Sequence, residues 1–205
     1  MRTLPRLAAA LALAVLAAPL AAHELPAPSA DDAKKMAPPA AAESTLVATP
    51  TGFRAEFIGL HDHVAKELLD LAEAMPAEKY AWRPGEGVRS YGEVCLHIAS
   101  ADYGLPAAIG IKPPEGIDPR KIESSPSDKA AAIATLKASL DFVRDSVAKM
   151  SDADLEKSVS LFGRDMSARA VLMLLANHIH EHLGQSIAYA RTNGVVPPWS
   201  AKQGG

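Results

Sequence analysis

Four things are scarce in this chain of 205 residues, and each scarcity excludes something. Cysteine occurs once, at Cys95, so no internal disulfide can form and the fold must stand on packing. Its neighbours Val94 and Leu96 are apolar, which suits a small core residue better than a reactive thiol. Positive charge is not in excess: 21 Lys and Arg face 24 Asp and Glu, for a formal net charge of −3, and no basic patch suggests nucleic acid. No apolar run is long enough for a comfortable membrane span. Sustained two-residue alternation and hairpin turn signals are missing, which leaves an all-α domain.

The N-terminus does carry a shorter apolar run. Arg2 and Arg6 form a basic start, Leu7 to Leu20 is almost pure Ala, Leu and Val, and Ala21-Ala22 supplies small residues for cleavage. Residues 1–22 read as a secretory signal peptide, with an uncleaved anchor as the alternative. No Cys follows the run, which argues against a lipid-anchored form. Its removal takes away Arg2 and Arg6 and lowers the net charge from −3 to −5. Residues 23–50 are rich in Ala and Pro with no period, and read as a disordered tether. These features imply a periplasmic or secreted protein with no membrane attachment after cleavage. What remains suits one domain, over 51–199, followed by a C-terminal tail, 200–205.

Four long helical patterns fill that domain. The first runs from about Thr51 to Met75, with Phe57, Leu60, Val64, Leu68, Leu71 and Met75 as its stripe and Pro76 as its end. Ser90-Tyr91-Gly92-Glu93 is a capping box that opens the second, whose inner face carries Val94, His97, Ile98, Ala101 and Leu105. Gly110 to Ser124, with three prolines, is a long irregular connection. Ser125 caps the third, with Ile133, Leu136, Leu140, Val143 and Val147 inward. Leu161 to Asp165 forms a turn. Ser167 caps the last helix, and Gly194 stops it. Its inward residues are Val171, Leu174, Leu175, His178, His182, Gln185 and Tyr189. Four helices with a long crossover make a four-helix bundle.

The histidines carry the chemistry. His178 and His182 are four residues apart, so they point the same way about 6 Å apart along one helix. Two imidazoles at that spacing suit two positions of one metal ion, and buried imidazoles need something to satisfy their nitrogens. Two ordinary histidines bonded to side chains or water are the alternative. His97, inward on another helix, supplies a third ligand. Three His leave a divalent metal an open position, as in catalytic sites. Three His suit zinc, nickel or iron, among others. Around them, Glu93 either bonds the far nitrogen of His97 or only closes its capping box. Glu181 is either a carboxylate at the rim of the site or a surface charge. Gln185 sits where it can hydrogen-bond a ligand. His61 borders the first helix's stripe and either lines the pocket or does not. His180 points away from the pair.

Together these residues resemble the DinB-like superfamily. The likeness lies in Trp82-x-Pro84, in Leu96-His97-Ile98-Ala99, in Asn177-His178-x-x-x-His182-x-Gly184-Gln185, and in Arg191-x-Asn193-Gly194 followed by Pro197-Pro198. It spans about Phe53 to Trp199. It implies a bundle with a long crossover and a divalent metal on His97, His178 and His182. Related bundles include metal-dependent thiol S-transferases and a thiol-using maleylpyruvate isomerase; the export signal departs from these cytosolic enzymes. Two expectations follow. One is a metal-dependent hydrolase or thiol-transferase-type enzyme acting on a small molecule. The other is a non-catalytic metal-binding or stress-related periplasmic bundle. An apolar helix face left over would support a homodimer.

Overall fold

A computed structural model describes residues 52–201. The signal peptide and tether expected from the sequence lie outside the described residues, as do residues 202–205 of the tail.

The domain is built on α1 (Phe53–Ala74), α2 (Tyr91–Gly104), the short α3 (Pro119–Ile122), α4 (Lys129–Lys149), the short α5 (Asp152–Leu155), α6 (Ala168–Thr192) and the short α7 (Pro198–Ala201). The four long helices form the four-helix bundle. Among the described residues no helix is long and apolar enough to cross a membrane. Going round the bundle the order is α1, α4, α2, α6: α1 and α2 each pack mainly on α4 and α6. Helices successive in sequence therefore lie across a diagonal at the first and third connections, residues 75–90 and 150–167, while the longest connection, residues 105–128, joins the neighbours α2 and α4.

Local chemistry sets each helix. Phe57, His61, Val64, Leu68 and Leu71 are buried along α1, at steps of three and four that keep one face inward. Leu60 departs from the expected stripe and is 59% exposed, because the four-residue step from Phe57 turns His61 inward in its place. The start of α2 is pinned in three ways. Ser90 and Glu93 make the reciprocal capping box. The buried rings of Tyr80 and Tyr91 meet edge to face, 5.1 Å apart, while the Tyr80 hydroxyl donates to the Ala72 carbonyl at 2.7 Å. Gly92 lies so close to the chain entering α4 that a β-carbon there would stand 2.1 Å from the Ser127 carbonyl oxygen.

The cap of α4 is Asp128, whose carboxylate accepts from the Ala131 amide, and not Ser125 as the sequence suggested. Ser167 caps α6 through the Ala170 amide. Gly194, at φ 77°, ends it in a Schellman motif, with Val195 N–H to Ala190 O at 2.9 Å and Gly194 N–H to Arg191 O at 3.0 Å.

One element was not expected. Residues read as a turn form a β-hairpin, β1 (Ser158–Leu161) with β2 (Arg164–Ser167), antiparallel and with Leu161 opposite Arg164. Phe162 (φ 53°) and Gly163 (φ 73°) are its two turn residues, both left-handed as a type I′ turn requires. Four-residue strands are too short to show alternation, and Phe-Gly is not the usual Asn-Gly turn. The hairpin rests on α6 and on the 3₁₀ segment Leu105–Ile109 that continues α2.

Candidate metal centre

Of the candidate residues, the structure brings His97, His178 and His182 together. One ring nitrogen from each lies within 4.8 Å of the others. Nε2 of His97 and Nε2 of His178 are 3.2 Å apart. Two ligands at about 2.0–2.1 Å on a tetrahedral metal stand roughly 3.3 Å apart, so this separation matches a shared metal. The histidines are half-buried: the centre of α6's inward face is Leu175, Ile179 and Leu183, and His178 and His182 sit beside it, turned toward α2. Leu174, expected inward, is partly exposed at the mouth of the site.

Which nitrogen each ring presents is decided by what holds the other one. His97 Nδ1 lies 2.7 Å from Glu123 Oε1, and His182 Nδ1 lies 2.7 Å from Gln185 Oε1. Both oxygens accept the Nδ1 proton, which leaves Nε2 with its lone pair free. His178 Nδ1 is buried with no partner in the protein.

Glu123 is the residue that sequence reasoning missed. It stands at the end of α3, inside the long connection between α2 and α4, 26 residues from His97. Ile122 buries against Leu96, Ala99 and Tyr103, and the Ser100 hydroxyl donates to the Pro119 carbonyl at 2.9 Å; together they dock α3 on α2. Arg89 holds Glu123 Oε2 through Nε and Nη2, at 3.1 and 2.9 Å, leaving Oε1 for His97. A similar chain backs His182: Gln185 Nε2 donates to the Tyr189 hydroxyl at 3.0 Å, and that hydroxyl donates to the Arg89 carbonyl at 3.2 Å. Arg89 thus joins the supports of both ligands. The sequence around it, a short basic helix Pro119–Ile122 in a proline-rich connection, carries no periodicity that points Glu123 at a histidine.

The other candidates fall elsewhere. Glu93 closes its capping box and pairs with Arg83; it does not reach His97. Glu181 is exposed. His61 is buried but stacks on Phe57, with neither ring nitrogen bonded, apart from the cluster. His180 is exposed and bonded to the Ala176 carbonyl.

Electrostatics favour neutral ligands. Burial, then the neighbouring His182 and His97, push the His178 imidazole down to about 4. Burial likewise lowers His182. Burial alone would raise Glu123, but the hydrogen bonds from His97 and Arg89 outweigh it and keep the carboxyl below its usual range. Near neutral pH His178 and His182 therefore offer uncharged rings, and the Glu123 carboxylate stands behind His97. Beside it lies a cavity of about 400 Å³, walled by His97, His178, Leu105, Leu174 and the hairpin tip.

A family model described as the DinB superfamily matches residues 60–186. The chain belongs to the DinB superfamily. In a comparison with curated proteins, none matched. Solved DinB-like structures share the fold. A DinB-like protein from Bacillus cereus is 22% identical with a TM-score of 0.62, over 69% of this chain and 93% of that one. The DinB-like protein YjoA from Bacillus subtilis is 20% identical with a TM-score of 0.55, over 69% and 93% of the two chains. YfiT from Bacillus subtilis, described as a probable metal-dependent hydrolase with an unusual four-helix bundle topology, is 14% identical with a TM-score of 0.55, over 70% and 89%. The three-histidine group of this DinB member fits a divalent metal by donor type, nitrogen spacing and the orienting partners of two of its rings.

Proposed function

We propose that this DinB-family bundle is a metal-dependent enzyme, of the hydrolase or thiol-transferase type, acting on a small molecule. The observation that carries the reading is the convergence of three imidazoles beside a cavity that His97 and His178 line. His97, His178 and His182 would hold the metal, with zinc, nickel or iron the best-suited ions. A divalent ion bound there supplies a Lewis acid that polarises a carbonyl or lowers the pKa of water or a thiol. The chain's own part is to hold the rings in place. Glu123 and Gln185 keep the protons of His97 and His182 on Nδ1, Arg89 fixes Glu123, and the apolar wall of the cavity receives the substrate beside His97 and His178.

The description of YfiT as a probable metal-dependent hydrolase supports this reading by likeness of fold. The N-terminal pattern supports a second element of it: the protein works outside the cytoplasm, in the periplasm or as a secreted protein. Elemental analysis of protein purified from its native compartment, with N-terminal sequencing of the same sample, tests both. One divalent metal per chain, lost in His97→Ala and in His178→Ala, is expected. Variants that hold metal as well as the parent would sink the assignment. Turnover is then sought with neutral ester and thiol panels; tight metal without turnover would favour the non-catalytic reading.

A further inference from the structure

Leu161 and Phe162 form the tip of the hairpin, and both line the cavity beside the histidines. Phe162 breaks two local rules at once. It sits at φ 53°, where a β-carbon is crowded and Asn or Gly is the ordinary turn residue. It is also 78% exposed, although an aromatic ring gains most by burial. Local rules broken in this way gather at functional sites.

The facing surface shows what the ring is for. Opposite the tip stand Ala101 and Gly104 of α2, Leu105 beyond it, and Leu174 of α6, with His97 and His178 beside them. No Asp, Glu, Lys or Arg lines the cavity. Its one hydroxyl, on Ser100, already donates to the Pro119 carbonyl. A charged group seated between Phe162, Leu105 and Leu174 would lose water with no charged side chain beside it to replace it. An uncharged ring or short acyl chain would remove apolar surface from water on its own side and on the side of Phe162. The volume of about 400 Å³ lies in the range of small-molecule pockets.

We propose that the hairpin tip is an apolar clamp and that the substrate is a small neutral molecule. A compact apolar group of phenyl or short-acyl size sits between Phe162, Leu105 and Leu174 and carries its reactive oxygen or sulfur toward His97 and His178. The proposal rests on the reading of the histidine cluster as a catalytic metal site, but its test separates the two.

The full protein, as isolated with its metal, is titrated with acetophenone, a neutral ring bearing a carbonyl, and followed by calorimetry. The second probe is 4-acetylbenzenesulfonate, which carries the same ketone with a weakly ligating charge at the far end of the ring. Acetophenone is expected to bind at least about tenfold tighter, because the sulfonate would be stripped of water in the pocket. Phe162→Asn suits the left-handed turn, so it keeps or raises Tm and folding is not in question. It should weaken acetophenone about fivefold or more while metal content stays the same, and Phe162→Leu should keep most of the affinity. Equal binding of the two probes, or Phe162→Asn binding acetophenone as the parent does, overturns the clamp. Acetophenone binding that depends on Phe162 in a preparation found to hold no metal supports the clamp and overturns the metal reading alone.

Discussion

Glu123→Ala removes the carboxylate that orients His97 without touching any proposed ligand. The bond it breaks spans 2.7 Å and joins an imidazole to a carboxylate that Arg89 grips at 2.9 and 3.1 Å. Once it is gone, His97 is free to rotate and to carry its proton on either nitrogen. Loss of such a supporting partner typically costs ten- to a hundredfold in metal affinity, or about 1.4–2.7 kcal/mol. Glu123 is partly exposed, so solvent screening puts the expectation at the lower end, near tenfold. Gln185→Ala should cost less, because a neutral acceptor makes a bond roughly half as strong as a charged one. The assay is competition with a chromophoric chelator at pH 7.5, for the parent, Glu123→Ala, Glu123→Gln and Gln185→Ala. A tenfold loss should also lower the Tm of the metal-loaded protein by about 3–6 °C at fixed metal excess, with the metal-free Tm changing far less. If Glu123→Ala lowers both melting temperatures equally and leaves the metal constant within about twofold of the parent, the carboxylate is merely structural and the reasoning fails.

Three further outcomes are expected. His178 is held down to about 4, against an ordinary 6.5, by burial and then by His182 and His97, so the unfolded chain takes up its proton first as pH falls. The stability this imidazole contributes is complete above pH 6.5 and is lost as pH falls from 6.5 toward 4; urea midpoints of the metal-free protein should fall across that window, and less so in His178→Gln. Gly92→Ala puts a methyl 2.1 Å from the Ser127 carbonyl oxygen and should cost about 2–3 kcal/mol in urea unfolding; an unchanged midpoint would show that α2 and the approach to α4 are not locked there. His61 is buried with neither ring nitrogen in a hydrogen bond and the Asp62 carboxylate 3.9 Å from Nδ1, so His61→Leu should stabilise the fold by about 1 kcal/mol without altering metal content; a destabilised variant would show that the Asp62 contact outweighs the cost of burying the ring.

Much of the fold was legible because it is written in local chemistry. The Ser90 capping box, the Ser167 cap and the Gly194 stop each depend on residues within a few positions of one another, and each is present. The pairing of His178 with His182 follows from helical spacing, and the partnership of His182 with Gln185 from the same rule. Features that depend on distant segments were not legible. Glu123 reaches His97 only because Ile122 and Pro119 dock a short helix on α2, which no periodicity encodes. At Leu60 and His61 the steps of three and four from Phe57 both keep a side chain near one face, and a leucine beside a histidine gave the wrong hint. The hairpin was invisible for a different reason: its turn uses Phe162 where turn rules expect Asn or Gly.

His97 and His178 are 81 residues apart in the chain, with two of the three histidines on the last long helix. No partial chain that stops short of α6 can hold the ion, and a metal bound there ties a loop of that length shut. Such an ion would act as a clasp between α2 and α6, holding together two helices that the chain itself joins only at a distance.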